Sequence, residues 1–281
     1  MDRSIADGKV APPPMGVPGW ARRLKDSRQR RAARRAGRSL RRGSGRRGER
    51  FDSERPASPA ASSDAWPRWL ELLAEVPADV HVAGIVARGF LVLLLVRTTW
   101  WMLGSFDMAA IGAIGPNAAP PTFVFRALSG ANLIFHEAGH VLFGAFGRFL
   151  QVLGGSMLEA AVPWICALAL YRSRRDTFGA SIAAWWGGEA LVGLGPYIYD
   201  AREQVQPLLG GVIGQDRPGY HDWNNLLSWT GLLPYDHAIA GLATTVGYGL
   251  MLVASIWSCW LLQRQFVVSR APSVDGFGAL D

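Results

Sequence analysis

The 281-residue sequence predicts an all-α fold, a polytopic transmembrane helical bundle of about five apolar segments behind a disordered basic N-terminal tail. Three observations carry this. First, hydrophobic residues make up 49% of the chain, and from about residue 83 they gather into runs long enough to cross a bilayer, which takes roughly 20 residues of helix. Second, the net charge of +7 does not belong to those runs. Residues 22–50 hold 14 of the 29 Lys and Arg with only Asp26 and Glu49 against them, which leaves 15 bases and 20 acids elsewhere. Third, there are only two cysteines, Cys166 and Cys259, each in an apolar stretch. That count supports neither a disulfide framework nor a cysteine-based zinc site.

Residues 1–66 form the expected tail and linker. The stretch "RRLKDSRQRRAARRAGRSLRRGSGRRGER" has almost nothing apolar to bury and is expected to be disordered. Its charge suits contact with anionic lipid headgroups, and no specific nucleic-acid role is expected. Residues 1–21 lack the apolar core of a signal peptide, and residues 51–66, rich in Pro, Ser and Ala, read as linker.

The membrane domain is expected over 67–281. Its first candidate span, "AGIVARGFLVLLLVRTTWWML" at 83–103, places Arg97, Trp100 and Trp101 where an interface suits them, while Arg88 has to snorkel or find a partner. Residues 104–129, with "GPNAAPPTF", read as loop. Further candidate spans are 131–150, 154–171, 180–199 and 238–262, and 200–237 reads as a polar loop. The twelve tryptophans fit interfacial belts. Arg172, Arg174, Arg175, Arg264 and Arg270 put their segments on the cytoplasmic side. Five spans cannot place both chain ends on that one side, so either one span is miscounted or the basic tail misleads.

Within 131–150 lies "NLIFHEAGHVLFGAFG". His136 and His140 are four apart and share one helical face, with Glu137 about 100° round. This is the HExxH arrangement, in which two imidazoles bind Zn²⁺ and the glutamate activates water. Ionisable groups at membrane depth are costly and are kept facing a cavity, a partner or a metal. Asn132, Gly139, Gly144 and Gly147 lie near the same line, and small residues let helices approach closely in lipid.

A third protein ligand is needed, and the residues leave three open: Glu189 and Asp200 in "WWGGEALVGLGPYIYDAR", and His221 in "RPGYHDW". Glu189 and Asp200 stand 11 residues apart, about 16 Å along a continuous helix, so they cannot both bind one ion. Gly195–Pro196 is expected to break or kink that helix. His221 with Asp222 could equally be a turn or an N-cap for "WNNLLSWTGLL". His81 and His237, at span edges beside acids, read as structural.

An HExxH in an apolar run, followed two apolar segments later by a Pro-containing turn and an Asp, resembles the site-2 protease family of intramembrane zinc metalloproteases. The resemblance covers about residues 128–205. It implies zinc bound by His136, His140 and Asp200, with Glu137 as general base. It departs from the family in having no Asn in the Pro-containing motif and no Gly after Asp200, and no PDZ-like insert is visible. With three full spans, Glu189 would lie level with the histidines and Asp200 about 15 Å away. The resemblance therefore requires 148–163 to be irregular or re-entrant.

The expected function is that of a multi-pass zinc metallohydrolase in the cell membrane, with a bacterial inner membrane as the setting. It would be a peptidase acting on membrane-associated polypeptide. A zinc-binding membrane protein without proteolysis, and a hydrolase of lipid amides or esters, are the alternatives.

Overall fold

A computed structural model describes residues 72–76, 81–110 and 113–270; the expected basic tail and most of its linker lie outside these. Contacts group Trp66–Phe266 into one compact unit, which holds the site described below. Among the described residues the structure is helical, with one isolated bridge between Phe106 and Ile114 and no strands. Three helical stretches are long and apolar enough to cross a membrane: Val82–Ser105, Arg148–Arg174 and Leu233–Ser269.

Helix α1 (Val82–Ser105) buries Val92, Leu95, Thr98, Trp101 and Met102, a stripe at helical spacing. Phe90, Leu93, Val96 and Trp100 stay exposed on its other faces, the arrangement expected where lipid is the solvent. Residues after Ser105 then fold back along α1. Trp101 Nε1 donates to the Ala119 carbonyl at 2.8 Å, and the Thr98 and Thr122 hydroxyls meet at 3.0 Å. Helix α2 (Phe123–Phe143) thus begins beside Thr98, about 10 Å short of the end of α1 at 1.5 Å per residue. Thr122 caps it by accepting from Phe125 N–H at 3.2 Å.

The expected span 131–150 is corrected here. α2 ends at Phe143, a 3₁₀ turn takes Gly144–Phe146, and Gly147 at φ +93° reverses the chain into helix α3 (Arg148–Ala169). That φ is open to glycine at little cost. Hydropathy runs unbroken through the corner because it reports what a residue touches, not which way the backbone turns.

The irregular segment expected at 148–163 is likewise absent. α3 runs continuously with Pro163 inside it and ends in a π turn, Leu170–Arg174. Nor does Gly195–Pro196 break helix α4 (Thr177–Tyr199), which Asp176 caps by accepting from Gly179 N–H at 2.9 Å. Pro196 lies in the last turn, where losing one hydrogen bond costs little helix beyond it, and its carbonyl accepts from Gln206 Nε2 at 3.1 Å.

α4 is the central helix, with 15 of its 23 residues buried. Helix α5 (Asp222–Thr230) stands within the segment expected as a polar loop, and helix α6 (Asp236–Ser269) follows. α4 and α6 meet through glycines. A Cβ on Gly188 would lie 2.6 Å from the Gly247 carbonyl, and one on Gly247 would lie 2.7 Å from that of Gly188. Such close approach of small residues is how helices pack where lipid removes the usual hydrophobic drive.

Candidate metal centre

α2 and α3 approach so closely at Gly139 and Gly154 that a Cβ on Gly139 would overlap the Gly154 carbonyl. This contact presses the histidine face of α2 against α3, and α3 answers with two acceptors. His136 Nδ1 bonds Glu159 Oε2 at 3.0 Å, and His140 Nδ1 bonds the Gln151 carbonyl at 2.9 Å. A carboxylate and a carbonyl can only accept, so each ring commits its Nδ1–H and leaves Nε2 to face Asp222, donating to it while protonated and open to a metal once that proton is lost.

Both Nε2 atoms converge on one oxygen. Asp222 Oδ2 lies 3.1 Å from Nε2 of His136 and 3.1 Å from Nε2 of His140. Asp222 is the first residue of α5, and Tyr197 of α4 fixes it twice. The phenol donates to Asp222 Oδ2 at 3.1 Å and accepts from Asp222 N–H at 2.9 Å. Burial opposes charge on Asp222, but hydrogen bonds from the two histidines outweigh it and hold its carboxyl down at about 2.

His136, His140 and Asp222 offer ligand atoms that all lie within 4.8 Å of one another. A tetrahedral zinc site with bonds of 2.0–2.1 Å has ligand–ligand edges of about 3.3 Å, close to the two 3.1 Å separations found. Room for an ion is kept by Gly155, where a Cβ would stand 2.7 Å from His136 Nε2 and 2.7 Å from His140 Nε2. By donor chemistry and by space, the residues fit a divalent metal that prefers nitrogen and oxygen ligands.

The other expected residues lie elsewhere. Glu137 is half-buried on α2, near enough for its charge to act on Tyr197. Asp200 is not brought to the histidines. It ends α4 and turns its carboxylate onto the following loop, accepting from Val205 N–H and Gln206 N–H, each at 3.0 Å. It also lies 3.4 Å from His221 Nε2. The nearby Arg202 pairs with Asp236, whose Oδ2 lies 2.8 Å from Arg202 Nε. His221 is fully buried and caps α5, its Nδ1 accepting from Asn224 N–H at 3.2 Å. Glu189 is buried too and accepts from Asn132 Nδ2 at 3.0 Å, while Trp186 Nε1 holds the other side of that amide at 2.8 Å.

Three residues here were not foreseen in these roles: Asp222, Glu159 and Tyr197. Asp222 adjoins a possible N-cap, the one signal that pointed to it. Glu159 is the lone acid in an apolar run, a placement that asks for a partner. Comparison with protein-family models, with characterised proteins and with solved structures finds no significant match.

Proposed function

We propose that the protein is a membrane-embedded zinc metallohydrolase, a peptidase acting on membrane-associated polypeptide. In this reading His136, His140 and Asp222 hold the zinc. One observation carries it: two imidazoles, each oriented through Nδ1, direct Nε2 onto the same half-buried carboxylate beside an HExxH glutamate. Structural histidines need no such convergence.

Zinc, when bound, supplies Lewis-acid polarisation of a carbonyl and acidification of water. The protein's own groups do the rest. Glu159 and Gln151 hold the rings against rotation, and Tyr197 holds Asp222. Glu137 lies on the same turn of α2 as His136 but faces a different side, which leaves its carboxylate free of ligation. It takes a proton from the attacking water as oxygen bonds to the scissile carbon, and passes that proton to the amine as the C–N bond breaks. The HExxH signature supports peptide hydrolysis over other uses of the metal; the Asp200 part of the resemblance to the site-2 protease family lends no support, since Asp200 is bonded to its own loop.

The test is zinc content and turnover measured together. Purified protein should carry one zinc per chain, and Glu137→Gln should keep the zinc while abolishing cleavage of polypeptide. Zinc-free wild-type protein, or a fully functional Glu137→Gln variant, would refute the proposal.

A further inference from the structure

The contacts give each helix a direction. Arg88 in α1 donates to Gln265 of α6 at 2.8 Å and lies 5.3 Å from the ring centre of Phe178 in α4. Ser181 of α4 meets Ser258 of α6 at 2.8 Å. The start of α1, the start of α4 and the far part of α6 therefore share one end of the bundle. At the other end Tyr199 stacks on His237 with ring centres 3.7 Å apart, and Arg202 pairs with Asp236. α1 and α4 run one way and α3 and α6 the other. The chain steps back about 10 Å along α1, and α2, antiparallel to α3, then returns it to the same end, so the two together add no crossing. α4 is not among the three helices apolar enough to face lipid, but it is buried between the others and runs the length of the bundle; with it counted, four crossings return the chain to the side on which α1 begins, which removes the parity conflict of five.

The two ends differ in charge. The first carries Arg88, Arg172, Arg174, Arg175 and Arg264 against Glu75 and Asp176. The second gathers Asp200, Glu203, Asp216, Asp222 and Asp236 against Arg148, Arg202 and Arg217. Excess arginine in short loops marks the cytoplasmic side. The metal centre belongs to the second end: Tyr197, which holds Asp222, follows Asp176 by 21 residues of α4, roughly 31 Å at 1.5 Å per residue. That is about the full hydrocarbon thickness. At the α2–α3 corner beside the centre, Val141, Leu142, Phe146 and Phe149 are exposed, an apolar rim that keeps the mouth of the site against the bilayer.

We infer that the metal centre opens on the face of the membrane away from the cytoplasm, and that its substrate is a polypeptide segment presented at that outer boundary of the bilayer. The substrate part of this rests on the hydrolase reading above; the sidedness does not.

The test places single cysteines in the full-length chain after Cys166 and Cys259 have been replaced by alanine. Leu209→Cys reports on the segment that delivers Asp222, and Ser173→Cys on the arginine-rich turn; both positions are exposed. In intact cells a membrane-impermeant maleimide should label Leu209→Cys at least tenfold faster than Ser173→Cys, and permeabilisation should remove the difference. Reversed or equal labelling in intact cells overturns the inference. Should a cysteine variant fail to accumulate, green fluorescent protein fused to the C terminus of the unmodified chain decides. Fluorescence supports the orientation, and a dark, full-length, membrane-inserted fusion overturns it. Neither readout depends on zinc or turnover, so inverted labelling leaves the hydrolase reading standing, while zinc-free protein with the expected labelling defeats that reading alone.

Discussion

Asp222 Oδ2 lies 3.1 Å from Nε2 of His136, across 86 residues of sequence. The acid comes not from a long helix but from the first turn of a nine-residue helix in a polar segment. The centre is thus closed by a piece of chain that must dock onto the bundle, and Tyr197 is the group that docks it.

Asp222→Ala should abolish tight zinc binding, leaving two imidazoles to hold the ion. Asp200→Ala should keep the zinc. Its carboxylate accepts two backbone N–H bonds, so its loss should appear instead as a fall in stability of about 1–3 kcal/mol. Zinc stoichiometry and thermal unfolding in detergent separate the two effects. Zinc loss from Asp200→Ala with retention in Asp222→Ala would return the ligand to Asp200.

Glu159→Ala should weaken zinc binding by roughly 10–100-fold, the usual cost of removing an outer carboxylate from a ligating histidine. Glu159→Gln, whose amide oxygen can still accept from Nδ1–H, should recover most of that loss. Competition with a chelator of known affinity measures both. Equal zinc affinity in wild type and Glu159→Ala would show that the 3.0 Å contact with His136 does not orient the ring.

Much of the bundle was legible in the sequence because apolar runs of helix length report lipid and core contact directly. α1, α4 and α6 lie close to where those runs put them. Chain reversal within an apolar run was not legible: the corner at Gly144–Gly147 carries no polar residue, so 131–150 read as one span. The HExxH pair was legible because three polar groups stood against an apolar background. The acid beside it was not, because among many acids in a polar segment Asp222 differs only in its contacts. The Pro196 reading failed for a related reason, since a proline in a last turn has little helix left to disrupt.

Acidification should release zinc by protonating the imidazoles, not the carboxylate. Asp222 is held down at about 2 by its two histidine partners, so it keeps its charge well below the ordinary aspartate value of about 3.9. The sign follows: a depressed carboxylate favours the docked α5 at any pH above the unfolded value, and loses that contribution only as pH falls through about 2. Zinc release measured between pH 7 and 4 should accordingly take up protons on His136 and His140 alone. Uptake of more than two protons for each zinc released over that range would mean that Asp222 titrates where the geometry says it does not.

Gly155→Ala tests whether space at the centre is as specific as its donors. The added methyl carbon would stand 2.6 Å from His140 Cε1 and 2.7 Å from the Nε2 atoms of both histidines, well inside van der Waals contact. The two rings cannot withdraw together without breaking the bonds to Glu159 and Gln151, and in doing so they would turn Nε2 away from Asp222. The variant should therefore lose zinc while remaining inserted and helical, because the methyl meets ring atoms and not backbone. Gly139→Ala makes the contrasting case: its methyl would meet the backbone of Gly154 and Gly155, so α2 and α3 must separate and the stability of the bundle should fall as well. Zinc content, circular dichroism and unfolding temperature read side by side distinguish the two. Normal zinc content in a folded Gly155→Ala protein would show that the rings tolerate displacement and that the cavity is not set by this glycine.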